Sequence, residues 1–153
     1  MSGYFYIHTF GCQMNKYDSE LISGLLINEG FKPASSEEKA DIVLLNTCSV
    51  RALASQKAYS RLGVVAKRKN KNKDLVIVMS GCVAEQDGAE AKKRIPGLDL
   101  VVGPSRIREI GKLLKETIRK KHGSVAVGDP GIDWRADAFI KRESPRQQSR
   151  VFF

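Results

Sequence analysis

The first apolar run, residues 4–9 (Tyr-Phe-Tyr-Ile-His-Thr), is aromatic and β-branched and is closed by Gly11, so it reads as a buried strand. Tyr17, Leu21, Ile22, Leu25 and Leu26 then recur at helical spacing, with Asn15 placed as N-cap, Asp18 three residues on, and Gly30 as the stop. Residues 31–39 form a polar connector. Residues 41–45 (Asp-Ile-Val-Leu-Leu) make a second strand with no polar alternation, as expected of a strand covered on both faces. A second helix starting near Val50 carries Ala54, Ala58, Leu62, Val65 and Ala66 along one side and ends in the basic run 67–73. A third strand at 75–79 leads to a helix over 84–95, stopped before Pro96-Gly97. A fourth strand at 98–102 turns at Gly103-Pro104, and Ser105 caps a fourth helix striped by Ile107, Ile110, Leu114 and Ile118. Residues 124–127 make a short fifth strand on a sheet edge.

Strict alternation of strand and helix predicts an α/β fold: a parallel sheet with helices on both faces. The flavodoxin-like order 2-1-3-4 places the first strand between the second and third. The folded unit is expected over residues 3–120. Residues 121–153 hold the short strand and then a linker, because hydrophobic periodicity is lost after Asp129 and Ser144-Pro145-Arg146-Gln147-Gln148-Ser149-Arg150 has linker composition. Val151-Phe152-Phe153 resembles the opening of a further strand, so continuation into another domain is expected.

Composition narrows the class. With 153 residues, 42% of them hydrophobic, the chain can bury one core but not two comfortable ones. It shows no secretory leader pattern and no apolar run near the roughly 20 residues of a membrane helix, so a cytoplasmic, monomeric protein without a membrane partner is expected. Three cysteines without a leader argue against a disulfide framework and for metal binding or catalytic sulfur. The net charge of +9 is uneven. Residues 1–60 hold five Lys/Arg against six Asp/Glu, and all of the excess lies beyond them. Such a surface attracts polyanions, RNA included. Lys67, Arg68, Lys69, Lys71 and Lys73 are the candidate RNA contacts, although cations at a helix carboxyl end also suit its macrodipole.

The chemistry gathers at the strand ends. Cys12, Cys48 and Cys82 each lie just past one of the first three strands, on the sheet edge where parallel α/β proteins bind ligands. Neighbouring strands are about 4.8 Å apart, so the three Cα atoms are expected within roughly 12 Å of one another. Three soft thiolates suit zinc with a fourth ligand or an iron-sulfur cluster. No closely paired cysteines occur, which disfavours zinc, and His8, inside a strand, reads as a packed histidine rather than the missing ligand. A four-iron cubane on three cysteines leaves one iron open to an exogenous sulfur. Gly11 and Gly81 allow close backbone approach, and the helix amino termini that follow favour an anionic ligand. Asp18, Glu20 and Asp41 are explained by capping and solvation, so no acid or base is assigned. Two other readings remain: a flavodoxin-like RNA-binding domain with incidental cysteines, and a zinc-stabilised structural module.

Thr9-Phe10-Gly11-Cys12-Gln13-Met14-Asn15 with Asp18-Ser19-Glu20, Ala40-Asp41 leading to Asn46-Thr47-Cys48-Ser49-Val50-Arg51, and Gly81-Cys82-Val83-Ala84 resemble the amino-terminal domain of the radical-SAM methylthiotransferases. The resemblance spans residues 3–120. It implies that Cys12, Cys48 and Cys82 bind an auxiliary 4Fe-4S cluster used in sulfur insertion. It also implies a following radical-SAM domain of the same parent chain, with a second 4Fe-4S cluster on a Cys-x-x-x-Cys-x-x-Cys motif and S-adenosylmethionine; that motif does not occur in these 153 residues. Gln13-Met14-Asn15 and Ser49-Val50-Arg51 look like the MiaB-type branch, which acts on tRNA and adds a methylthio group at C2 of an N6-isopentenylated adenine beside the anticodon. The branches acting on threonylcarbamoyl-adenine or on a ribosomal protein tend to show Lys-Val-Asn or Pro-Lys-Asn after the first cysteine. The resemblance implies that a fragment without the radical-SAM domain is inactive alone.

Overall fold

The computed structural model describes residues 3–11, 13–48, 52–121, 123–127 and 150–152. Its frame is a parallel sheet of β1 (Tyr4–Phe10), β2 (Lys32–Pro33), β3 (Ile42–Thr47), β4 (Val76–Gly81), β5 (Leu100–Val102), β6 (Ser124–Ala126) and β7 (Arg150–Phe152). The order is β2-β1-β3-β4-β5-β6, with β7 paired to β1. The helices are α1 (Gln13–Asn28), α2 (Ala52–Arg68), α3 (Cys82–Asp87), α4 (Ala89–Arg94) and α5 (Ile110–Lys120).

The aliphatic runs of β3 and β4 put alternate side chains into two separate cores, as a strand covered on both sides must. Ile42, Leu44 and Val78 pack with Ile22 and Leu26 of α1 and Ile110 and Leu114 of α5. Val43, Leu45, Ile77 and Met79 pack on the other face with Ala58, Leu62 and Val65 of α2, Val83 of α3 and Ala91 of α4. The expected flavodoxin-like α/β architecture is therefore present, and 124–127 does supply an edge strand, β6.

The details differ in four places. The second strand is Lys32–Pro33, inside the segment read as a polar connector. It joins β1 through the backbone alone, Lys32 N donating to Gly3 O at 2.9 Å and Ala34 N to Phe5 O at 2.8 Å, while both its side chains are exposed. Counting it, the formula 2-1-3-4 holds, but the run at 41–45 becomes the third strand and stands between β1 and β4. The expected helix over 84–95 is broken into α3 and α4 at Gly88, whose φ of 50° lies outside the right-handed helix. Ser105 caps no α-helix, because Pro104–Glu109 winds as a 3-10 segment before α5 begins. Tyr17 turns outward, 41% exposed, instead of joining the apolar face of α1. Among the described residues no helix is long and apolar enough to cross a membrane.

Candidate metal centre

Strands β1, β3 and β4 are adjacent and end one or two residues ahead of Cys12, Cys48 and Cys82. Thr47 pairs with Gly81 in the β3–β4 ladder. Cys48 and Cys82 therefore each follow one member of a facing pair on strands about 4.8 Å apart. Both are free thiols, Cys48 buried and Cys82 partly exposed. Cys12 lies outside the described residues, so the expected spacing of all three Cα atoms is not measured.

The residue before Cys12 does have a defined place. Gly11 has φ of 104°, and a Cβ built on it would overlap Cys48 Cβ and lie 2.9 Å from Cys48 Sγ. Gly81, before Cys82, has φ of 96°, and its Cβ would overlap the Thr47 carbonyl oxygen and lie 2.9 Å from Asn46 Oδ1. Only glycine meets both demands at these positions, a positive φ and no side chain. The two glycines let three strand ends close around Cys48.

Beneath the cysteines the sheet turns polar. Thr9, Asn46 and Ser80 face one another across β1, β3 and β4, and all three are buried. The first turns of α1 answer this row. Thr9 Oγ1 and Ser19 Oγ share a hydrogen bond of 2.6 Å, and Asn46 Nδ2 donates to Asn15 O at 2.8 Å and Ser19 Oγ at 3.0 Å. Asn15 Nδ2 donates to Phe10 O at 2.6 Å and Thr47 O at 2.7 Å. Asn15 is therefore a buried residue inside α1 and not its N-cap, because its side chain is spent on strand carbonyls. Thr47 Oγ1 donates to Ser80 O at 2.6 Å. Ser80 Oγ is buried with no hydrogen-bond partner among the described residues. Sequence reasoning missed this layer. Its signal was present in Asn46-Thr47 and Ser80, polar residues at the ends of aliphatic runs.

His8 behaves as a packed histidine. Its Nε2 lies 2.9 Å from Glu37 Oε2, and Glu37 also holds Arg61 and, at 3.5 Å, Arg68 Nη1. Burial pushes the Glu37 carboxyl up, but hydrogen bonds and charge from His8 and Arg61 outweigh it and hold the group at about 2. Nothing local in the sequence marks Glu37, since its partners are 24 to 31 positions away. Tyr59 of α2 donates to Asp87 of α3, and Arg94 lies 3.8 Å from the centre of the Tyr59 ring. Burial, then the bond to the Asp87 carboxylate, pushes the Tyr59 phenol above its usual range. Of the carboxylates assigned to capping or solvation, Glu20 and Asp41 are exposed. Asp41 Oδ2 accepts from Tyr4 N at 3.0 Å. Asp18 is instead buried, so solvation does not account for it.

The basic run sits at the far end of α2 from Cys48, just ahead of β4. Lys67, Lys71 and Lys73 are exposed. Arg68 reaches the Glu37 backbone oxygen at 3.2 Å, and Lys69 pairs with Asp99. Two of the five candidate RNA contacts are thus engaged within the fold.

Among the described residues, which leave out Cys12, no three His, Cys, Asp or Glu side chains are grouped to hold a metal ion. The surroundings of Cys48 and Cys82 fit a sulfur-ligated group even so. Two thiols follow facing residues, the glycine preceding the third cysteine packs against Cys48, and Ser80, two positions before Cys82, has a buried hydroxyl with no partner among the described residues. Residues 4–103, which include all three cysteines, match the model of the family described as uncharacterized protein family UPF0004. The chain belongs to this family, the amino-terminal domain of the methylthiotransferases.

Proposed function

We propose that this methylthiotransferase domain holds an auxiliary 4Fe-4S cluster through Cys12, Cys48 and Cys82, and that its parent enzyme modifies tRNA. One observation carries the reading: Gly11 packs on Cys48 while Thr47 faces Gly81, which draws the chain ahead of all three cysteines to one place. A cluster held this way supplies an iron free of protein ligands, at which sulfur can be exchanged. The protein's own part is to present three thiolates. It also buries Cys48, leaves Cys82 open to solvent on one side, and offers the amino terminus of the 16-residue α1 beside the site, where anionic charge is favoured.

The residues Gln13-Met14-Asn15 and Ser49-Val50-Arg51 favour N6-isopentenylated adenine in tRNA as the substrate of the parent enzyme, with S-adenosylmethionine and a second cluster bound in the following domain. Zinc is the competing occupant. Anaerobic reconstitution followed by iron, sulfide and zinc analysis separates the two. About four irons and four sulfides per chain support the cluster, and each of Cys12→Ala, Cys48→Ala and Cys82→Ala should then lower the iron content while the fold persists. Stoichiometric zinc without iron would sink the reading.

A further inference from the structure

The two hydrogens of the Asn15 side-chain amide go to two different strands. Nδ2 donates to Phe10 O of β1 at 2.6 Å and to Thr47 O of β3 at 2.7 Å. Phe10 lies two residues ahead of Cys12, and Thr47 is the residue before Cys48. These carbonyls belong to the last residues of their strands, and a buried backbone oxygen there is stabilised by a donor. The same side chain borders the gap at Gly11, Nδ2 lying 3.6 Å from the missing Cβ position and Cys48 Sγ 2.9 Å from it. Asn15 is itself held, because its backbone oxygen accepts from Asn46 Nδ2 at 2.8 Å.

From this geometry we infer that Asn15 is a positioning residue: a clamp that fixes the chain entering Cys12 against the chain entering Cys48, and so sets the distance between two sulfur ligands. This inference rests on the cluster reading above. With both amide hydrogens committed to carbonyls, Asn15 has none to give to sulfur, so its effect runs through ligand geometry and not through direct contact. Few side chains can replace it. Aspartate keeps the shape but offers an oxygen, not an NH2, to two carbonyl oxygens; alanine removes the shared donor from both carbonyls; glutamine places its amide one methylene further out from the buried backbone.

The test compares the unaltered 153-residue chain with Asn15→Ala, Asn15→Asp and Leu62→Ala, the last a buried core change that leaves the clamp intact. Each protein is reconstituted anaerobically with ferrous iron and sulfide, titrated with an iron chelator, and characterised by its cluster absorption and electron paramagnetic resonance spectra and by thermal unfolding of the apo form. Groups that orient metal ligands typically contribute about 10- to 100-fold in metal affinity. Both Asn15 variants should therefore yield iron to the chelator at roughly tenfold or more lower competitor concentration, with altered spectra. Leu62→Ala should lose thermal stability but keep the unaltered affinity and spectra. Where Asn15→Ala gives no folded protein, Asn15→Ser, which retains one donor, is read the same way. Unchanged affinity and spectra in the Asn15 variants overturn the clamp and leave the cluster reading standing. Equal loss of iron in Leu62→Ala also overturns it, by showing that affinity merely follows stability. Absence of iron from the unaltered chain overturns the cluster reading, and the clamp with it.

Discussion

The Cys48 sulfur stands 2.9 Å from the point that a Cβ on Gly11 would occupy, so the side chain missing from one residue makes room for the thiol of another on the neighbouring strand. Gly11→Ala is expected to destabilise the domain twice over. The φ of 104° is strained for any L side chain, at a cost on the order of 1–3 kcal/mol, and the added methyl must displace Cys48. Gly24→Ala and Gly63→Ala are the contrasting cases: both glycines lie inside helices with nothing within 4 Å of the new methyl. Each should raise stability by about 0.5–1 kcal/mol. Urea unfolding of the three variants checks the contrast; a neutral Gly11→Ala would mean that the strand ends are not packed together as described.

Glu37 ties three elements, β1 through His8, α2 through Arg61 and Arg68, and its own 3-10 turn Glu37–Lys39. Its carboxyl is held at about 2 against an ordinary 4.5. A depressed carboxylate stabilises the fold above the unfolded value, and that contribution is lost as pH falls from about 5 toward 2. The shift corresponds to a linked stability on the order of 3 kcal/mol. Glu37→Gln should therefore lower stability at pH 7 and flatten the fall between pH 5 and 2. Matching pH profiles for the two proteins would show the carboxylate to be unlinked to folding.

Tyr59 offers a reading at the other end of the pH scale. Its phenol, raised by burial and by Asp87, keeps its proton in the folded state after an unfolded tyrosine has lost it. The associated stability is present below pH 10 and lost above it. Alkaline titration followed by tyrosinate absorbance should leave at least one of the four tyrosines un-ionised until the protein unfolds. In Tyr59→Phe that late step should vanish. The substitution should also cost about 1–3 kcal/mol, because Asp87 loses its donor. A late step that survives in Tyr59→Phe would assign it to another tyrosine.

What the sequence made legible follows from which forces shape each element. Strands β3 and β4 were readable because an uninterrupted aliphatic run has few alternatives to burial on both faces, and β1 because its run is aromatic and β-branched. The cysteines were readable because their places relative to those runs repeat. Lys32–Pro33 carries no such signal, since its pairing uses backbone groups and its side chains face solvent. The same holds for Asn15. Its spacing before Asp18 suits a cap, and only the tertiary approach of β1 and β3 turns its amide toward two carbonyls. In the sequence Arg68 and Lys69 are indistinguishable from the rest of the basic run, because the carboxylates that engage them, Glu37 and Asp99, are distant along the chain.

That division of the basic run separates its members by experiment. Arg68→Gln and Lys69→Gln remove partners from a buried and a half-buried carboxylate, so both should lower stability. Lys67, Lys71 and Lys73 are exposed, and replacing all three by Gln should leave stability within about 0.5 kcal/mol. If this end of α2 touches a tRNA, it does so far from the reacting base. Helix α2 has 17 residues, which at about 1.5 Å per residue places the run roughly 25 Å from the Cys48 end. Contacts there would go to phosphates and carry no sequence information. The triple Gln variant of the full parent enzyme should then bind tRNA more weakly at low salt. Its plot of log affinity against log salt should flatten by about 0.7 to 0.9 for each contact removed, with iron content unchanged. Equal affinity across the salt series would mark these three lysines as a solvated helix end, matched to its dipole and touching no RNA.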